Sequence, residues 1–302
     1  MNVELHELIG AVRGVRLDGS LSDDALVALS GIYSSLQTLT ASVDVEGEYG
    51  ESAEYERRLD TLYEICAGRC GAGYPFSRRC RMTAVLHRIL TLPLRGTDPE
   101  KYRECEGLLR GLSEEWETVP EGERTGALVY GMMRCVSDLY GQVPESERES
   151  SVLYAWFRRQ VGACAWLSDG NGRWDGVDVE ESLSRVEMLM RNSNLFLDGS
   201  YDGLIAKSCT RLSERILGSC GSPATTGAGA VRRLFVLYEL LARGAEGSVR
   251  AGAETVASCA GRMLEEFACG SDEWLLCASV RVDRLCEREA AVLEERLFSR
   301  IA

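Results

Sequence analysis

The sequence predicts an all-α protein of about ten to twelve helices, arranged as two internally duplicated helical-bundle halves joined by connector helices. Three observations favour this fold class. Apolar residues recur at helical spacing along most of the chain, and runs of β-branched residues are few. Only 6 prolines occur in 302 residues, several of them at predicted helix starts. The third observation is an internal repeat.

The repeat consists of short matches that occur in the same order in both parts of the chain. The phrase Leu-Asp-Gly-Ser stands at 17–20 and again at 197–200, and a similar helical segment follows each copy. Residues 57–67 match residues 232–242 at seven of eleven positions. The offset between matches falls slowly from 180 to 174 residues, which indicates a duplication with small deletions.

The duplication predicts three regions. We expect a first helical repeat at 1–125, connector helices with a Gly/Asp-rich loop at 126–178, and a second helical repeat at 179–302. The matched residues fall largely on apolar helical faces, so a hydrophobic core was duplicated and not a set of reactive groups. A pseudo-twofold axis between the halves follows from this.

The first half is predicted to contain five helices, each bounded by a cap or a breaker. The first helix is predicted at 2–16, and the second runs from a cap at Ser22 or Asp23 to about residue 43. The third lies between the polar loop 46–52 and the break at 71–75. The fourth runs from Ser77 to before Pro93, and the fifth from a cap at Thr97 or Asp98 to about Trp116. Apolar stripes support the second, third and fourth: Leu26, Leu29, Tyr33, Leu36; Leu59, Leu62, Tyr63, Cys66; Ala84, Leu86, Ile89, Leu90.

The remaining helices are predicted in the same way. Two related starts at 119–124 and 143–148 predict connector helices at about 124–141 and 146–167, the second rich in aromatic residues. The second half should contain helices near 179–195, 202–218, 229–243, 249–268 and 272–300. Its stripe is in register with the stripe of the third helix: Leu234, Leu237, Tyr238, Leu241.

The loop at 168–178 is the most distinctive loop, and it carries the ligand-binding candidates Asp169, Asn171, Trp174, Asp175 and Asp178. Its acids, amide and three glycines suggest a calcium site with oxygen ligands, but Arg173 and Trp174 depart from the EF-hand pattern. Trp174 is alternatively a stacking platform for a sugar, with Asp169 and Asp175 as hydrogen-bonding or catalytic carboxylates. The simplest interpretation is a solvated connector of turn-forming residues.

Other motifs favour structural roles. The Asp-Gly-Ser phrases predict structural turns in which Gly19 and Gly199 allow positive φ at a helix end and the neighbouring Asp and Ser side chains can bond local backbone. The twelve cysteines are dispersed, and we expect buried, reduced thiols. Cys66 and Cys70, one helical turn apart, come nearest to half a zinc site. Acid–base or Cys–His catalysis would have to use one of the two histidines, at positions 6 and 87. We therefore assign no catalytic residue, metal or cofactor.

The net charge of −13 and the pI of about 4.9 disfavour binding to nucleic acid or anionic membrane. Of the 34 basic residues, 32 are arginine, which we attribute to genomic base composition; recognition of phosphate by arginine is the alternative. The chain shows no secretory signal and no long apolar run, so a cytoplasmic location is expected.

These observations predict a non-catalytic cytoplasmic interaction or scaffold protein that binds a protein partner or a second copy of itself. The alternative is an enzyme or a saccharide- or ligand-binding protein that uses a cleft between the two halves, with loop 168–178 at its rim. Helical duplication and acidic charge favour the first hypothesis. A convergence of Trp174 with two carboxylates would favour the second.

Overall fold

A computed structural model describes residues 2–43, 48–90, 98–123, 132, 135–136, 139, 145–152, 154–156, 158–159, 228–242 and 247–301. The regular elements of these residues are all helical, which confirms the all-α part of the prediction. They are α1 (Val3–Arg13), α2 (Asp23–Val43), α3 (Ser52–Arg69), α4 (Phe76–Leu90), α5 (Pro99–Trp116), a 3₁₀ turn (Glu121–Glu123), α6 (Glu145–Arg148), α7 (Ala228–Ala242), α8 (Gly247–Met263) and α9 (Asp272–Ile301).

Helix α2 lies at the centre of the hydrophobic core. It packs against α3 and α4 on one side and against α9 on the other, while α9 also packs against α1, α7 and α8. Three of the apolar side chains of α2, Leu26, Leu29 and Ile32, are each 0% exposed. Helices from the beginning and the end of the chain therefore share one core.

The directions of the central helices follow from their paired contacts. Gly31 of α2 lies against Ser279 of α9, and four residues later the Ser35 hydroxyl donates to Asp283 Oδ1 at 2.6 Å. Because both partners advance by four residues, α2 and α9 run parallel. On the other side of α2, the Arg58 guanidinium of α3 donates to the Tyr33 hydroxyl at 3.1 Å.

Two groups of three consecutive helices surround this centre. In the first, α3 packs on α4 and α4 on α5; in the second, α7 packs on α8 and α8 on α9. The outer helices of each group are joined by a tyrosine on the first helix and an acid on the third. The Tyr63 hydroxyl donates to Glu104 of α5, and the Tyr238 hydroxyl donates to Asp283 of α9 at 2.7 Å.

The connector contributes aromatic side chains to the core. Trp156 is 8% exposed, and its ring centroid lies 4.9 Å from that of Trp116 at the end of α5. Trp116 in turn packs on Phe76 of α4 at 5.7 Å. The described part of the connector is thus held against the first group of helices.

The predicted helix starts are confirmed where a cap was named. Ser22 Oγ accepts from the Ala25 amide at 3.0 Å, and Asp98 Oδ1 accepts from the Lys101 amide at 3.1 Å. All the stripe residues predicted for α2, α3, α4 and α7 are buried. Sequence periodicity therefore located these helices and their core faces correctly.

Several boundaries differ from the prediction. Helix α1 ends at Arg13 and α8 at Met263, before the expected residues 16 and 268. The helix predicted at 146–167 is interrupted at 149–151, because the Ser151 hydroxyl accepts from the Tyr154 amide at 3.3 Å and caps a new helical segment.

The turn at Asp18 differs in one respect from the prediction. Ser20 N donates to Asp18 Oδ1 at 2.8 Å, as expected for a local side-chain bond. Gly19, however, does not have positive φ; among the described glycines that conformation occurs at Gly50 and Gly270. The Leu21 amide closes a turn on the Asp18 carbonyl at 3.3 Å, and a type I turn of this kind needs no positive φ.

Some predicted features lie outside the described residues. They include the helices at 179–195 and 202–218, the second Leu-Asp-Gly-Ser phrase at 197–200, and much of the two connector helices. Within the part that the structure describes, no helix combines the length and the apolar content needed to cross a lipid bilayer.

Candidate functional site

The residues singled out from the sequence are only partly placed by the structure. Loop 168–178, with all five of its ligand-binding candidates, lies outside the described residues. Of the two histidines, His6 is exposed on α1, whereas His87 is 3% exposed within α4. Among the described side chains, no group of three or more His, Cys, Asp or Glu residues is arranged to hold a metal ion.

A set of buried and half-buried charges lies instead between α2, α4 and α7, and we call it the polar seam: Asp24, Arg81, Arg88, Arg232 and Glu239. Helices α4 and α7 each contribute two residues of the seam, and the two residues of a helix are seven positions apart. Seven residues make nearly two helical turns, so both members of each pair lie on the same helical face. The seam therefore has two layers, about 10 Å apart along the helices.

The outer layer of the seam is centred on Asp24, in the first turn of α2. Its carboxylate Oδ1 accepts from Arg81 of α4, and Oδ2 accepts from Arg232 Nε of α7 at 2.7 Å. The Asp24 side chain is 9% exposed, whereas the Arg81 and Arg232 side chains are 43% and 52% exposed. One buried carboxylate thus holds two guanidinium groups from distant parts of the chain.

The inner layer of the seam is a more enclosed ion pair. Arg88 Nη2 donates to Glu239 Oε1 at 2.7 Å, and the two side chains are 18% and 10% exposed. The Arg88 guanidinium also lies 5.7 Å from the centre of the Phe235 ring. It fits against α2 because Gly31 has no side chain; a Cβ atom there would lie 2.9 Å from Arg88 Nη2.

Next to the seam, Asp283 of α9 joins α2 and α7. It accepts from Ser35 at 2.6 Å and from the Tyr238 hydroxyl at 2.7 Å. Burial, together with the nearby Asp283 carboxylate, raises the pKa of the Tyr238 phenol far above its usual range. Tyr238 therefore remains a neutral hydrogen-bond donor at any physiological pH.

A second polar cluster anchors the segment that enters α3. The Tyr49 hydroxyl accepts from the Asn2 amide at 2.9 Å, and the Tyr49 carbonyl accepts from the Tyr55 hydroxyl. Burial raises the pKa of Tyr49 to about 12. Gly50 has a φ of 104°, and the Arg13 guanidinium and the Tyr55 hydroxyl lie so close that a Cβ atom would clash with both. This cluster fixes the chain between α1 and α3.

Burial shifts the pKa of three cysteine thiols in the same direction as the pKa of the tyrosines. Burial raises the pKa of the Cys66 and Cys286 thiols, and that of Cys70 to about 11. A nucleophilic cysteine needs the opposite shift, toward the thiolate. These thiols therefore have the properties of small apolar core side chains.

Thiol labelling should separate the described cysteines according to their burial. We expect Cys269, which is exposed, to react quickly with a thiol reagent in the native protein at pH 8, while Cys66 and Cys286 react only after denaturation. Mass spectrometry of the labelled peptides assigns each site. Rapid native labelling of Cys66 or Cys286 would show that the core around it opens readily.

The polar seam is not among the features predicted from the sequence, although the sequence contains one signal for it. The charges of the seam share a helical face with buried residues; Arg232 and Glu239, for instance, lie three positions before and four positions after the buried Phe235. Charges that repeat at an interval of seven beside a core face indicate buried ion pairs. The sequence does not show which of these charges pair, because the partners lie up to 208 positions apart.

No model of a protein family, no curated protein and no solved structure matches the chain significantly.

Proposed function

We propose that the chain is a non-catalytic helical interaction or scaffold protein of the cytoplasm, which binds another protein or a second copy of itself. This proposal rests on one observation: the charged side chains between the helices bind one another and so join helices that are far apart in the sequence. In the polar seam they connect α2 and α4 to α7, and at Asp283 they connect α2 to α7 and α9. Their chemistry is that of a framework that holds distant helices together.

The pKa shifts of the buried groups support the non-catalytic part of the proposal. The pKa values of the thiols Cys66, Cys70 and Cys286 and of the phenols Tyr49 and Tyr238 are all raised. Each shift favours the neutral form, in which these groups are poor nucleophiles and poor bases. Catalytic groups require pKa values closer to the working pH.

We also propose that the framework arose by duplication, with repeats at 1–125 and 179–302 and a connector at 126–178. Tyr63 and Tyr238 are matched residues of the two sequence repeats. Each donates its hydroxyl to a carboxylate on the third helix of its own group, Glu104 or Asp283. The two acceptors are not matched residues, but both bonds join the first and the third helix of a group, which supports a common ancestor for the two groups of helices.

If the two tyrosines are equivalent, their removal should have equal effects. We expect Tyr63→Phe and Tyr238→Phe each to lower the free energy of unfolding by about 1–2 kcal/mol, because a hydrogen bond to a charged acceptor is lost. The measurement is chemical denaturation followed by circular dichroism. Tyr74→Phe is the control, since the structure gives the Tyr74 hydroxyl no hydrogen bond among the described residues, and it should change the free energy by less than about 0.5 kcal/mol. A loss in only one of the first two variants would contradict equivalence.

Affinity capture tests the proposed function. The tagged 302-residue chain is incubated with cytoplasm from its native source, and recovered proteins are identified and quantified by mass spectrometry. We expect at least one partner in near-stoichiometric amount, or self-association visible as a larger mass in light scattering. The control bait is a variant in which the exposed acids Glu56, Glu64 and Glu100 are changed to Gln. Proteins that this variant no longer recovers were bound through surface charge alone. A monomer that recovers no partner but gains thermal stability specifically with Ca²⁺ or a small ligand would overturn the proposal.

A further inference from the structure

We draw no further inference here: the strongest candidate, the end of α9 with its exposed apolar side chains Val292 and Phe298, carries no proposal because nothing among the described residues shows what covers it.

Discussion

Replacing Glu239 with methionine should lower the free energy of unfolding by about 3–5 kcal/mol, because it removes the buried carboxylate to which the largely enclosed guanidinium of Arg88 donates. Glu239 accepts from Arg88 at 2.7 Å, and neither side chain is more than 18% exposed. Water therefore cannot fully replace the lost partner. Urea denaturation of the variant and of the unmodified chain gives the difference directly.

The double variant Arg88→Met/Glu239→Met separates pairing from packing. It removes both charges, so we expect it to recover most of the stability lost in Glu239→Met. Glu106→Gln is the surface control, because its partner Arg110 is 71% exposed, and it should cost less than about 0.5 kcal/mol. A double variant as unstable as the single one would mean that the side-chain volumes, and not the ion pair, determine the stability here.

Replacing Gly31 with alanine should destabilise the protein by about 2 kcal/mol, although alanine is the better helix former. Gly31 lies within α2 where α9 and Arg88 approach most closely. An added Cβ atom would lie 2.7 Å from Ser279 Oγ and 2.9 Å from Arg88 Nη2. Ser279 is 2% exposed and has little room to move. The packing of α2 against α9 would therefore have to change, as thermal unfolding of the variant should show.

Gly10→Ala provides the matched control for this steric effect. Gly10 also lies within a helix, α1, but a Cβ atom there meets nothing within 4 Å. The same substitution should therefore stabilise the protein by about 0.5–1 kcal/mol, since only the helix propensity changes. Equal effects at the two positions would contradict the close approach of α9 and Arg88 to Gly31.

The helices could be predicted from the sequence because the signals that form them are local. The caps at Ser22 and Asp98 lie within three residues of the amides they bind, and apolar stripes report burial through helical periodicity alone. The interruption at 149–151 was missed because the Ser151 cap competes with an otherwise continuous helical pattern.

The polar seam could not be predicted in the same way, because its partners are far apart in the sequence. Asp24 and Arg232 are separated by 208 positions, and Arg88 and Glu239 by 151. Local patterns mark each charge as lying next to a core face, but only the packing of α2, α4 and α7 decides which charges meet. The ligand-binding hypothesis for loop 168–178 remains a prediction, since that loop lies outside the described residues.

The charged contacts of the polar seam and of Asp283 should make the first and last helices of the chain one cooperative unit. Native-state hydrogen exchange with mass spectrometry measures the opening free energy of each helix. We predict that the core amides of α2, α4, α7 and α9 open together, with free energies within about 1 kcal/mol of one another. If α7 and α9 opened several kcal/mol more easily than α2 and α4, the two ends of the chain would be separate units and this prediction would be wrong.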